Sequence, residues 1–165
     1  MIRHLQVDDA EAYLELRRQA LLEAPGAFMA SAEDDLVATA EAVREQLRRA
    51  PGTVIIGAFR ERLVGTVGLY RDHHLKAAHK AHLWGMYVAC EARRLGIGAG
   101  LLAAALEHAR SLPGVEWVHL SVSSAAPAAQ RLYERAGFRV WGREPDALRA
   151  GGERLVDHHM ALRLG

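Results

Sequence analysis

Two β-rich runs, Thr53 to Phe59 and Leu63 to Tyr70, are separated only by Arg60-Glu61-Arg62. So short a polar link admits an antiparallel hairpin and no crossover. That constrains the fold strongly, because helical patterns stand on both sides of it. Ile2 to Val7 reads as a strand, and Asp8 or Asp9 is placed to cap a helix in which Tyr13, Leu14, Leu16, Ala20 and Leu21 share one face. Ala24-Pro25-Gly26 breaks it. Ser31 and Asp34 have the spacing of a capping box, followed by an apolar stripe of Leu36, Ala40, Val43 and Leu47 that Pro51-Gly52 ends. After the hairpin come a polar stretch, Arg71 to Lys80, and a strand from about His82 to Val88. An alanine-rich helix then runs from Gly98 to Leu112 and stops at Pro113-Gly114.

The remainder of the chain continues the alternation. In Val115 to Val122, Val118, Leu120 and Val122 fall on one face and Trp117, His119 and Ser121 on the other. A helix from about Ala125 to Ala136 ends at Gly137, and strands Phe138 to Arg143 and Glu153 to Leu164 flank a polar, Gly-rich loop. The order β-α-α-β-β-β-α-β-α-β-β defines a mixed sheet with helices on its faces, in the α/β or α+β class. No linker, repeat or low-complexity segment divides residues 1–165, which read as a single domain.

Composition excludes several functions. The formal charge is +1, so there is no basic field for nucleic acid. The longest apolar run, Leu101 to Leu106, is too short to cross a bilayer. The single cysteine, Cys90, forms no internal disulfide and fits a reducing compartment, and the expected location is the cytoplasm. His73, His74 and His79 lack the partners and spacing of a zinc site, and no metal is expected.

The chemistry concentrates in Arg93-Arg94-Leu95-Gly96-Ile97-Gly98-Ala99-Gly100, between a strand and a helix. Glycines allow a tight turn and close approach of a ligand. A helix N-terminus offers unpaired N–H groups and a positive dipole end to a phosphate, and Arg93 and Arg94 add charge-assisted bonds. The run equally serves as a plain structural turn. Its spacing fits neither the dinucleotide fingerprint nor the Walker pattern.

A second block follows that helix: Ala129, then Leu132-Tyr133, then Gly137-Phe138. Together the two blocks resemble the GNAT (N-acetyltransferase) superfamily, whose pattern Q/R-x-x-G-x-G/A matches Arg93 to Gly98. The resemblance spans nearly the whole chain. It implies a mixed, mostly antiparallel sheet of about seven strands flanked by about four helices. It further implies acetyl-CoA as co-substrate and an amine as acceptor, on a small molecule, an amino acid, or a peptide or protein. The pyrophosphate would lie on the N–H groups of Leu95, Gly96, Ile97, Gly98 and Ala99, and the pantetheine arm along Met86, Tyr87 and Val88. Tyr133 matches the tyrosine that protonates the leaving thiolate; its ordinary pKa of ~10 leaves it a proton to give at neutral pH. Backbone N–H groups at Met86 to Val88 would stabilise the oxyanion. A homodimer through sheet edges or the last strands is a further implication.

Two departures from the family pattern stand out. Ala126 replaces an asparagine that often helps hold the cofactor, with Ser123 or Ser124 as substitutes; Ser124 serves equally as a helix cap. No glutamate stands on the His82–Val88 strand, so the general base is left among His82, His119, His158, His159 and water. Alternation allows only one of His158 and His159 to face a cleft. These departures support an alternative, a non-catalytic acyl-CoA-binding protein. The resemblance implies that Glu23 to Asp35 and Glu144 to Gly152 wall the acceptor site. Phe28 and Met29 serve there as apolar contacts or else plug the core, and Glu33, Asp34 and Asp35 attract a cationic amine or else serve a helix N-terminus.

Overall fold

A computed structural model describes residues 1–165. Its elements are β1 (Ile2–His4), α1 (Ala10–Glu23), α2 (Ala40–Leu47), β2 (Thr53–Phe59), β3 (Leu63–Arg71), β4 (Lys80–Val88), α3 (Ile97–Ser111), β5 (Trp117–Ser123), α4 (Pro127–Arg135), β6 (Arg139–Ala150) and β7 (Glu153–Arg163). The seven strands form one sheet in the order β1-β2-β3-β4-β5-β7-β6. Only the β4–β5 pair is parallel; the others are antiparallel. This is the mixed α/β architecture expected from the sequence.

The sheet is covered on both faces, which explains the near-continuous apolar runs of β2 and β3. On one face α3 and α4 pack over Val54, Ile56, Val67, Leu69, Val118, Leu120 and Met160. On the other, α1 and α2 pack over Ile55 and Leu63 through Tyr13, Leu16, Ala20, Val43 and Leu47. The α1–α2 layer covers only the β1–β4 half of the sheet. Over β5 and β7 that face is open, and the site lies there.

Three boundaries differ from the sequence reading. The Ser31–Asp34 box forms, with Ser31 N–H donating to Asp34 Oδ1 at 2.6 Å, but it starts no helix. Asp35 is held by Arg17 instead, Leu36 is exposed, and α2 begins after Thr39, whose Oγ1 accepts from Ala42 N–H at 3.2 Å. Asp9 does not cap α1; its carboxylate accepts from Gln6 N–H and pairs with Arg3. The polar segment 144–152 is mostly strand. An irregularity between Glu144 and Leu148 absorbs Pro145 and Asp146 (φ 53°), and Gly151 and Gly152 (φ 58° and 78°) make a two-residue turn joining β6 to β7. Positive φ at both turn positions is what a tight hairpin demands, and glycine supplies it without strain.

Candidate active site

The central feature is a gap between β4 and β5. They pair only over Lys80–His82 and Trp117–His119. β5 goes on pairing with β7 to Ser123 and β4 with β3 to Val88, so the sheet splits between them. The cause lies in β4, whose register with β3 slips between Thr66↔Tyr87 and Gly68↔Trp84, with Gly85 at φ 60°. An extra residue bends the strand and reverses which face its side chains take. Leu83, and past the bulge Met86 and Val88, rest on the α3 side, while Trp84 and Tyr87 turn to the α1 side. Beyond His82, the edge of β4 facing β5 has no strand against it.

At the end of β4 the chain turns into α3 through Arg94 (φ 63°) and Gly96 (φ 76°). None of the backbone N–H groups from Arg94 to Ala99 donates within the chain, and the first bond of the turn is Gly100 N–H to Gly96 O at 3.0 Å. The first turn of α3 carries no acidic residue and no side-chain cap. The result is an open anion cradle built of Leu95, Gly96, Ile97, Gly98 and Ala99 N–H groups, which fits a pyrophosphate. Gly100 has a packing reason, because a Cβ there would lie 2.6 Å from Ile2 Cδ1. Arg94 projects without a side-chain partner. Arg93 does not: its Nε donates to Val88 O at 2.9 Å, and its guanidinium lies 5.8 Å from the Tyr87 ring and 3.6 Å from Glu23. In this arrangement Arg93 braces the end of β4. The Tyr87 hydroxyl donates to Glu23, and burial together with that carboxylate holds its pKa well above the ordinary phenol value.

Tyr133, on α4, is only 6% exposed and packs edge-on against Phe138, ring centroids 5.9 Å apart. Its hydroxyl makes no hydrogen bond within the chain, yet it is absent from the polar atoms sealed without a partner, so the oxygen reaches open space. Burial raises its pKa, keeping the proton on. Ala126 precedes α4 without a capping side chain, and Pro127 occupies the first turn. Ser124 caps no helix. Its Oγ accepts from Val156 N–H at 3.1 Å, and its own N–H donates to Val156 O at 2.8 Å, tying the end of β5 to β7. Ser123 makes the local turn, accepting from Ala125 N–H at 3.2 Å.

On the α1 side of the gap lies a groove of about 480 Å³. Its floor is His82 and Trp84 from β4, His119 and Ser121 from β5, and Asp157 and His159 from β7; Phe28, Met29, Tyr70, Trp141 and Leu148 stand around it. Leu83 and Leu120 belong to the core beneath α3, yet both also line the groove. The groove therefore opens onto the gap where the two strands part. Phe28, Met29 and, from the 144–152 segment, Leu148 line this groove. The expected acidic attractors do not: Asp34 binds Ser31, Asp35 binds Arg17, and neither they nor Glu33 line the groove.

The four histidines separate by environment. His159 sits with Nδ1 2.7 Å from Ser121 Oγ and Nε2 3.1 Å from Glu144 Oε2. His82 Nε2 lies 2.6 Å from Asp72 Oδ2, its ring stacked on Tyr70. Burial first, then the neighbouring His82, lowers the pKa of His119. His158 pairs opposite Val122, on the other face, with Nδ1 sealed and unpartnered. Asp157, Ser121, Trp84 and Trp141 did not emerge from the sequence as site residues, and Glu144 emerged only as the start of an expected wall. The signal for two of them was the alternation that puts Asp157 beside His159 and Ser121 beside His119.

Trp84 owes its position to a glycine. A Cβ on Gly68 would lie 2.1 Å from Trp84 Cε2, so the indole lies across Gly68 of the neighbouring strand. Gly68→Ala is expected to lift the ring toward the groove, costing about 1–3 kcal/mol as overpacking does. Denaturant unfolding followed by tryptophan fluorescence measures both effects; an unchanged emission maximum and midpoint would refute this.

The strand pair parts beside the anion cradle, and the groove opens onto that parting. Residues 23–138 match the model of the Acetyltransferase (GNAT) family, and the chain belongs to that family as an acetyltransferase. A segment of 46 residues is 48% identical to the mycothiol acetyltransferase of Nocardiopsis dassonvillei, covering 28% of this chain and 14% of that relative. Solved structures agree over the full length. A GNAT-family acetyltransferase from Streptococcus pneumoniae superposes with TM-score 0.89 at 20% identity, covering 100% of this chain and 99% of the other. The ribosomal-protein-alanine N-acetyltransferase of Brucella melitensis gives 0.82 at 27%, covering 99% of each. The yncA acetyltransferase of Salmonella typhimurium, solved with its cofactor acetyl-CoA, gives 0.84 at 20%, covering 100% and 94%. No helix is long and apolar enough to cross a membrane.

Proposed function

We propose that the enzyme transfers an acetyl group from acetyl-CoA directly to a primary amine. One observation carries the reading: the groove opens onto the β4–β5 gap, so an acceptor held on the α1 side would meet, between the strands, a donor held on the cradle side. The bound donor supplies an activated thioester carbonyl. The N–H groups of Leu95 to Ala99 bind its pyrophosphate, and the free edge of Met86, Tyr87 and Val88 receives its extended arm as an added strand would be received. A backbone N–H on that edge polarises the carbonyl oxygen. The acceptor gives up two protons. The first leaves the ammonium by way of Ser121 Oγ to His159 Nδ1, whose Nε2 Glu144 holds. The second leaves to solvent, from which Tyr133 regains its own, as the amine nitrogen bonds to the carbonyl carbon and the carbon–sulfur bond breaks. Tyr133, on the opposite side of the sheet, delivers its proton to the departing sulfur.

Thermal unfolding with acetyl-CoA, CoA, NAD and ATP in separate samples tests the donor. A ligand at ~100 times its Kd adds roughly 2.7 kcal/mol, a rise of roughly 5–10 °C for a domain of this size. Acetyl-CoA and CoA are expected to give that rise, and NAD and ATP none. A shift with NAD or ATP alone would sink the proposal.

A further inference from the structure

The groove is more selective than a site for any amine. The Asp157 side chain makes no hydrogen bond; its Oδ1 is sealed from solvent without a partner, while Oδ2, equally unbonded, is open. Burial first, then the nearby Glu144 carboxylate, raises its pKa, outweighing the opposite pull of His159 and His158. No lysine or arginine lines the groove. The cations nearest in the fold are committed elsewhere, Arg17 to Asp35 at 2.6 Å and Lys80 beside Asp72 at 3.9 Å. His82 is paired with Asp72, and burial disfavours the charged form of His119. His159, which becomes cationic on taking the amine's proton, is already paired with Glu144, so an acceptor carboxylate or phosphate would face Asp157 with no lysine or arginine to answer it.

The rest of the surface is aromatic and apolar. Phe28, Tyr70 and Trp84 line the interior, and at the mouth Met29 and Trp141 remain 87% and 64% exposed. Aromatic faces beside a carboxylate attract an organic cation, and large apolar groups left in water at a groove mouth await an apolar occupant. A volume of about 480 Å³ suits a small molecule.

We infer that the acceptor is a small primary amine on an aromatic body without an anionic group, its ammonium received by Asp157. This rests on the proposed donor chemistry but is read out separately. Asp157 fixes the amine on β7, two residues from His159 on the same face of the strand.

The test pairs phenethylamine and tryptamine with phenylalanine and tryptophan, which differ only by the α-carboxylate, and adds a short peptide beginning with phenylalanine. Thiol release from acetyl-CoA gives kcat/KM; fluorescence of the tryptophans, two of which line the groove, gives phenethylamine binding without the donor, and calorimetry follows the indole ligands, which fluoresce themselves. The carboxylate-free amines are expected to exceed their amino acids by about 100-fold in kcat/KM, since like charges juxtaposed in a site are strongly disfavoured. Asp157→Asn is expected to weaken amine binding by fluorescence and raise the amine KM at least about tenfold, with the thermal shift by CoA unchanged. Amino acids or the peptide turning over as well as the amines would overturn the inference and leave the donor reading standing. So would amines that neither bind nor react in a protein that CoA stabilises. A fluorescence change that tracks protein concentration and not amine would give the aromatic mouth to a second copy of the chain, with the same consequence. Amine binding without any CoA shift would instead remove the donor reading and keep the groove assignment.

Discussion

Tyr133→Phe is expected to leave the melting temperature within about 1 °C of the parent, because a hydroxyl with no partner contributes little to stability, while kcat falls roughly 100-fold. The two effects separate because of where the oxygen sits. The ring is buried against Phe138 and contributes its packing in either variant, whereas the hydroxyl makes no bond within the chain and opens to space. A structural tyrosine would behave in the opposite way, losing stability with its hydrogen bond and keeping turnover. Burial raises the phenol pKa, so the proton is present throughout the neutral range and no falling limb of activity near neutrality arises from this group. The donor KM should hold, since the cradle is on another element. Steady-state thiol release with the thermal shift by CoA as control measures all three; an unchanged kcat would remove Tyr133 from the reaction.

The parts of this site that were legible in the sequence are the local ones. Arg93 to Gly98 and Leu132-Tyr133 with Gly137-Phe138 are contiguous patterns, and each encodes a turn or helix end whose geometry follows from a few neighbouring residues. Their positions in the chain order also carried the sheet. The groove was legible only in fragments, because register assembles it. Ser121, His159 and Glu144 come from three strands and meet because Ser121 pairs with His159 and Glu144 with Asp157. The gap depends on one extra residue at Gly85, which no local pattern marks. The Ser31–Asp34 motif illustrates the converse. Its hydrogen bonds form as the spacing predicts, but a distant partner, Arg17, takes Asp35 and holds the following segment out of helix.

That long-range pair sets the last expectation. Arg17 Nε donates to Asp35 Oδ2 at 2.6 Å and its Nη2 to Oδ1 at 2.8 Å, with the side chains 15% and 5% exposed. Removing one member of a buried pair strands the other, so Asp35→Ala should cost about 3–5 kcal/mol. The double variant Arg17→Met, Asp35→Leu should recover most of the loss, because the cost lies in the unpaired charge. Asp35 also accepts from Val37 N–H at 3.2 Å, anchoring the stretch between Glu23 and α2 that carries Phe28 and Met29 to the groove. Asp35→Ala is therefore expected to raise the amine KM more than the acetyl-CoA KM. The bond from Arg17 holds the Asp35 pKa below the usual range. A depressed carboxylate gives stability that is complete above the unfolded pKa of ~3.9 and is lost as pH falls through the lower folded value. The parent should thus lose stability below about pH 4 more steeply than Asp35→Ala, narrowing the gap between them. Denaturant midpoints at neutral and acid pH decide this, and a gap that stays constant with pH would show that the ion pair is not what holds the segment.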